Sequence, residues 1–445
     1  MFAACVQHPY WRRKLLDNPD DHADWPDRFV YVCATGYGAT VNVSPMLHAG
    51  SDRIVGLVVL EAVANRENPT TSEQVNAIQP SNRLQDYARN VLGLSQEDIH
   101  VDQRHPDFLT VWKDALVKAA DMARARDAEV VLNITGGRKT ATVGGILGYP
   151  RAPGIPKMWM ISVGVEPFAV RLVEITDNGD LRERLLPAED RLDLPTYLES
   201  YGVREVNTKA RRRYQGWMRQ QRGAVEVIRG MLADRSAKRL FRPLYSELYR
   251  QSEGSAEVSL DPKIADIARP LVQSLEGCQL NGGTLRVETE EAFRFLNGAW
   301  LEAALLIAVE DAAGGKSGVE IASNVELAGL FDRGAVMKQG VPTKAASQTD
   351  LDLVILGNDR LDVVQAKANV NVSRLHDGLD KLSKYRNQLA GQGGRAWLVA
   401  PLIDDAQLKK SNHRAHAVHE GVKLVSGPQA IDRFIASIVH DFRLS

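Results

Sequence analysis

Between residues 349 and 370 the chain reads TDLDLVILGNDRLDVVQAKANV, two apolar runs around the polar turn GNDR. This pattern predicts a β-hairpin with 357–360 as a four-residue loop and Leu356 paired with Leu361. Counting back along both strands sets Asp352 opposite Gln365, and Asp350 opposite Lys367. Directly opposed residues hold their Cβ atoms about 4.5–5.5 Å apart, and residues two apart share a face. All four polar side chains are therefore expected on one face of one hairpin. Asp352 and Gln365 offer the hard oxygen ligands that Mg2+ or Mn2+ prefers. Lys367 beside them is suited to orienting a water and offsetting charge on a phosphorane-like transition state. A further acid, Glu302, lies in FLNGAWLEAAL on a predicted helix ahead of the hairpin, and completes the expected metal ligands with Asp352 and Gln365.

A second group of residues is suited to binding phosphate. The loops TGYGATVN (35–42) and NITGGRKT (133–140) each follow an apolar strand. In open parallel sheets ligands sit beyond the carboxyl ends of strands. Gly136 and Gly137 lack Cβ atoms, so backbone N–H groups can approach phosphate oxygens, and Lys139 adds positive charge at a predicted helix start. A glycine pair is also an ordinary strand-to-helix connection. Neither loop has the Walker spacing, so a triphosphate-hydrolysing P-loop is not expected.

The elements needed to position these groups can be read in outline. Strands are predicted at Arg28–Ala34, Arg53–Leu60, Glu129–Ile134, Met158–Val165 and Ala169–Ile175. Helices are predicted near Ser81–Leu92, near Val111–Arg126 and from about Lys139. Strands alternating with helices imply an α/β class with a mostly parallel, Rossmann-like sheet over residues 28–200. Residues 201–292 read as a basic linker and a small mixed module, with NGG (281–283) marking a hairpin. Residues 293–445 read as a second α/β domain. Within 204–242 a dozen Arg and Lys face three acids, with Tyr214 and Trp217 interleaved. That excess suits either a polyanion or a solvated helix surface.

Two family resemblances rest on these motifs. ATGYGATVNVSPML and VVLNITGGRKTAT resemble the signature segments of CARF domains, the sensors of CRISPR-associated effectors, over roughly residues 28–195. The resemblance implies a homodimer that binds a cyclic oligoadenylate, expected to be cyclic tetra-adenylate, across its two-fold axis. By position, Thr35, Asn42, Thr135, Gly136, Gly137 and Lys139 would line that site. Arg138, where many members carry a smaller polar residue, would add a phosphate contact or alter ring-size preference. The order Glu302, Asp352, Gln365, Lys367 resembles the PD-(D/E)XK nuclease fold, also called restriction-endonuclease-like, over about residues 290–400. Gln365 departs from the commoner acid and lowers the formal charge by one, so weaker metal binding is expected. RLHDGLDKLSKYRNQLAG and RAWLVAP resemble the helix and strand that follow the core in CARF-linked members.

Together the resemblances imply a cyclic oligoadenylate-activated, metal-dependent endonuclease of type III CRISPR defence, cleaving DNA in preference to RNA. A first alternative is a ligand-controlled DNA-binding regulator with a winged helix over 223–292 and a degenerate nuclease domain. A second is a metal-independent HEPN-like ribonuclease using Arg414 and His419 of HRAHAVHE, although strands flank that motif. A sensor that degrades its own activator is neither supported nor excluded. The net charge of −1 argues against a constitutive nucleic-acid coat and suits local or gated binding. Three scattered cysteines suit a reducing cytoplasm. No apolar run is read as membrane-spanning, and the N-terminus lacks the order of a signal peptide.

Overall fold

The computed structural model describes residues 25–35, 40–61, 63, 78–104, 109–135, 158–165, 168–175, 181–186, 193–200, 203–251, 256–315, 318–328, 349–357, 360–368, 372, 375–386, 389 and 394–442. They fall into two compact units, Met1–Gly202 and Val203–Ser445. The class is α/β in both.

In the first unit β1 (Phe29–Ala34), β2 (Ile54–Leu60), β3 (Ile99–Asp102), β4 (Glu129–Asn133), β5 (Met158–Val165), β6 (Phe168–Ile175) and β7 (Leu181–Leu186) form one sheet. Its order is β3-β2-β1-β4-β5-β6-β7, parallel from β3 to β5 and antiparallel beyond. The sheet is therefore mostly parallel, as expected, with β3 and β7 added to the strands read from the sequence. The helices are α1 (Thr40–Ala49), α2 (Gln79–Asn90), α3 (Leu109–Ala125) and α4 (Leu194–Ser200). Continuous apolar strands are buried on both faces. Phe29, Tyr31 and Cys33 of β1 pack with Val43, Met46, Leu84 and Tyr87 from α1 and α2. Val30, Val32 and Ala34 pack on the other face with Trp112, Leu116 and Ala119 of α3. The helix expected from Lys139 lies outside the described residues.

The second unit opens with β8 (Arg204–Glu205), α5 (Thr208–Gln220), α6 (Arg222–Ala233) and α7 (Ser236–Leu248). Then come β9 (Ala256–Ser259), α8 (Pro262–Ser274), β10 (Cys278–Asn281) and β11 (Thr284–Val287). The last two form the expected hairpin, with Gly282 and Gly283 at φ 55° and 91° supplying the positive dihedrals of a two-residue turn. Next are α9 (Glu290–Arg294) and α10 (Trp300–Ala313), joined by a π-helical turn, Phe295–Ala299, with Gly298 at φ 134°. The chain finishes with β12 (Val319–Ala328), β13 (Thr349–Gly357), β14 (Arg360–Ala366), α11 (Leu375–Tyr385), β15 (Ala396–Ala400), α12 (Asp405–Lys410), α13 (His413–His419), β16 (Val422–Ser426) and α14 (Ala430–Phe442). The main sheet runs β16-β15-β14-β13-β12-β8.

Within residues 201–292, expected as a linker with a module of its own, the described helices and strands from Met218 onward share one core with the C-terminal sheet. Met218, Ile228, Phe241 and Leu271 belong to the same cluster as Trp300, Leu305, Ile355 and Trp397. The Trp300 ring stacks on Phe241 at 5.1 Å, and its indole N–H donates to the Tyr245 hydroxyl at 2.8 Å. Much of the basic excess serves this docking. Arg211 forms a buried pair with Glu205 at 2.6 Å. Arg219 reaches Glu310, Arg222 reaches Asp311, Arg229 reaches Asp432 and Lys238 reaches Asp404, at 2.5–3.1 Å. Tyr214 and Trp217 stack on one another, and Trp217 meets Phe295 edge-on. The exposed pairs contribute up to about 1 kcal/mol each, so they fix the helices' placement more than they add stability.

The stretch Glu290–Ala313 is 24 residues long and apolar enough to cross a bilayer, contrary to expectation, but 67% of its apolar window is buried inside the protein. Its residues Trp300, Leu301, Ala304, Leu305 and Val309 form the centre of the C-terminal core.

Candidate functional site

The β13–β14 hairpin has the expected register, with Leu356 opposite Leu361. Gly357 and Arg360 also pair, so the loop is two residues, 358–359, rather than four. The ladder stops at Leu353–Val364. From there β14 leaves its neighbour: the Ala366 N–H donates to Asp352 Oδ2 at 2.7 Å and the Lys367 N–H donates to Val399 at 2.8 Å. The expected pairing of Asp350 with Lys367 does not form, because the β13–β14 ladder has already ended; on its other edge Asp350 lies opposite Glu326 of β12. The Asp352 side chain thus takes the amide that a strand carbonyl would otherwise accept.

Gln365 donates from Nε2 to the same Asp352 Oδ2 at 3.0 Å. A carboxylate at position 365 would face Asp352 acceptor to acceptor, so glutamine is the side chain that satisfies this contact. Both donors thus engage the same oxygen, Asp352 Oδ2. Glu302 stands in the first turn of α10, where the helix dipole favours a carboxylate. Its carboxyl is held well above its ordinary range by burial first and by the Asp352 charge second, with Arg294 and Lys367 pulling it back and Asp350 raising it further. Burial likewise raises the Asp352 carboxyl, against Lys367, the Ala366 N–H, Gln365 and Lys381. Glu302, Asp352, Gln365 and Lys367 thus act on one another at one place. Two close carboxyls that resist ionisation together fit a divalent cation, which would relieve the repulsion that raises them.

Three members of this cluster were not foreseen. Arg294 approaches from the helix before the Gly298 kink, its guanidinium 5.5 Å from the Tyr214 ring centre. Glu326 shares the face of Asp350 by cross-strand register. Lys381 comes from α11, which packs closely on the sheet: a Cβ at Gly378 would lie 2.9 Å from Leu398 Cδ1 and 3.5 Å from Lys367 Cε. The signal in the sequence was Gly378-x-x-Lys381, a close-approach glycine and a lysine on one helix face.

The sign of the carboxyl shifts gives a prediction. A carboxyl raised in the fold contributes stability below its ordinary value and loses it as pH rises through the raised value. Above the ordinary carboxylate range the metal-free site thus costs stability. Glu302→Gln is expected to raise the melting temperature of the metal-free protein at pH 7–8 by roughly 1–4 °C. Differential scanning fluorimetry in chelator tests it, and a lower melting temperature would refute the assigned strain.

In the first unit the strand order reverses between β1 and β4, and the two candidate loops begin at the carboxyl ends of those strands. This is the topological switch point at which open α/β sheets bind ligands. Thr35 is fully buried and its hydroxyl donates to the Leu60 carbonyl at 3.3 Å. Asn42 is fully buried, donating to the Ala34 carbonyl at 3.2 Å and accepting from Asn133 at 2.9 Å. Asn133 Oδ1 in turn accepts the Thr135 N–H at 2.8 Å. Thr35 and Asn42 therefore brace the strand ends in this structure, and Asn133 ties one loop to the other. Gly136, Gly137, Arg138 and Lys139 lie outside the described residues.

HRAHAVHE forms the short helix α13 between β15 and β16, with Arg414 held by Asp405 at 2.8 Å and His419 exposed. That setting is a sheet domain, unlike the helical one the HEPN reading requires.

Residues 289–428 match the sequence model of the Card1-like endonuclease domain. No curated protein matches the chain significantly. Among solved structures, protein VC1899 from Vibrio cholerae is 17% identical with a TM-score of 0.66, covering 93% of this chain and 98% of its own. Can2 from Sulfobacillus thermosulfidooxidans, in complex with cyclic tetra-adenylate, is 17% identical with a TM-score of 0.59, covering 92% and 98%. At these identities the likeness is one of fold along nearly the whole chain.

Proposed function

We propose that this chain is a cyclic oligoadenylate-activated, metal-dependent endonuclease, working as a homodimer and acting on DNA in preference to RNA. The observation that carries the reading is the cluster of Glu302, Asp352, Gln365 and Lys367 inside the segment that matches the Card1-like endonuclease model. Support for the activator comes from the fold shared with Can2 in its cyclic tetra-adenylate complex. The switch-point position of the two N-terminal loops is a second support.

In this reading Asp352, Gln365 and Glu302 would hold Mg2+ or Mn2+. The ion supplies Lewis acidity toward the phosphate and a water of lowered pKa. Asp352 Oδ2, engaged by two donors, fixes the orientation of its partner oxygen. Lys367 orients the attacking water and offsets charge developing on the phosphate, with Lys381 and Arg294 adding positive potential. Thr135, Gly136, Gly137, Arg138 and Lys139 contact the activator, while Thr35 and Asn42 hold the loops that present them.

The test is a matrix of supercoiled plasmid, single-stranded DNA and RNA against Mn2+ and cyclic tri-, tetra- and hexa-adenylate. Cleavage requiring both metal and cyclic tetra-adenylate, fastest on DNA, is expected. Binding without metal-dependent cleavage under every condition would instead favour a ligand-controlled regulator and overturn the assignment.

A further inference from the structure

A second cluster of metal-ligating side chains lies between α11 and α13, which pack against each other. His376 and Asp380 are four residues apart on α11, so they share a face. On α13, His413 and His416 are three apart and meet them. His416 Nε2 is 2.7 Å from Asp380 Oδ1, and His376 Nε2 is 3.8 Å from Asp380 Oδ2. One ligand atom from each of His376, Asp380 and His416 lies within 4.8 Å of the other two. The rings of His376 and His416 are 4.3 Å apart, and the His413 ring stands edge-on to His376 at 6.4 Å. His413 Nδ1 sits 2.6 Å from the Ser411 hydroxyl, which fixes that ring.

We infer that His376, Asp380 and His416 form a binding site for a transition-metal dication, zinc-like in preference, apart from the nuclease carboxylates. Ligand atoms around a tetrahedral Zn2+ at 2.0–2.1 Å are about 3.3 Å apart. The separations of 2.7 and 3.8 Å from Asp380 lie on either side of that value. Two imidazoles and a carboxylate select zinc, cobalt or nickel over the hard cations suited to oxygen ligands, so the two sites of this unit differ in the ion each prefers. The His376 side chain is 58% exposed and that of His416 24% exposed. The site thus opens to solvent, with room for water as a further ligand.

The consequence for the molecule lies in α11. That helix carries Lys381, which acts on Asp352, and packs at Gly378 against Lys367. An ion joining α11 to α13 pins the helix that supports the carboxylate site, without touching that site.

The test uses Co2+ as probe on the full chain in saturating Mg2+, which occupies hard-ligand sites. One equivalent with intense visible bands of four-coordinate cobalt is expected. Competition with a chromophoric chelator should give a Zn2+ affinity that falls at least on the order of tenfold in both His376→Ala and His416→Ala. Asp352→Asn should leave both readouts unchanged, and Asp380→Asn checks that a shape-preserving change also weakens binding. If wild-type protein takes up no cobalt or zinc under these conditions, or both histidine variants bind as wild type does, the inference fails. The contact is then a helix-to-helix hydrogen bond only.

Discussion

Asp352→Asn is expected to lower metal- and activator-dependent cleavage by at least about 10²–10³-fold while leaving the fold and activator binding intact. Asparagine keeps the shape and can still accept the Ala366 N–H, but it removes the charge a cation requires. It also removes the second-largest cause of the raised Glu302 carboxyl. The metal-free variant should therefore be at least as stable as the wild type. The pH dependence follows from the same shifts. Both carboxyls are raised, so each must lose a proton at a higher pH than an ordinary carboxylate before a cation can bind. The acid limb of activity is expected above the usual carboxylate range, and calorimetry in buffers of different ionisation enthalpy should show protons released on Mn2+ binding. Cleavage within tenfold of wild type, still Mn2+-dependent, would remove Asp352 from the reaction.

Asp362→Ala is the largest expected loss of stability. Asp362 is fully buried on β14 and accepts four hydrogen bonds. Arg360 Nε and the Arg395 N–H reach Oδ1, both at 3.0 Å, while Arg360 Nη2 and the Trp397 indole reach Oδ2 at 3.2 and 3.0 Å. The Arg360 guanidinium also lies 4.4 Å from the Phe442 ring centre. Alanine removes the carboxylate to which a buried guanidinium, an indole N–H and a backbone N–H all donate, a cost of about 3–5 kcal/mol. For a unit of this size the melting transition should fall by on the order of 10 °C. Urea titration followed by tryptophan fluorescence measures it, and a loss below about 1 kcal/mol would contradict the buried-pair account.

The hairpin register was legible because two apolar runs of matched length enclose a polar turn, and period-two alternation admits only one alignment. Where pairing ends was not legible. That point is set by the Asp352 side chain taking the Ala366 amide, a contest between acceptors that alternation does not encode. The basic character of 204–242 was likewise plain, but its meaning was not. The partners Glu310, Asp311 and Asp432 lie some 90 to 200 positions away, and no local pattern connects them. Short edge elements were missed for a related reason. IHVD and LRERLL carry too few apolar residues to stand out before neighbours supply their hydrogen bonds. Lys381 and Arg294 escaped notice because ordinary surface chemistry on a helix becomes site chemistry only once the sheet is packed.

The two-residue strand β8 has a mechanical meaning. Glu205 pairs with Leu327 of β12, and the next residue on β12, Glu326, pairs with Asp350 of β13, two positions from Asp352. Val206 donates its N–H to Glu326, and the Asn207 side chain donates to Asn324 and accepts from the Glu326 N–H, so the join is bolted at three further points. The first residues of this unit thus belong to the same sheet as Asp352, with β12 between them. A pull on residues 204–207 would fall first on β12 and pass to β13 through the pairs those two strands share.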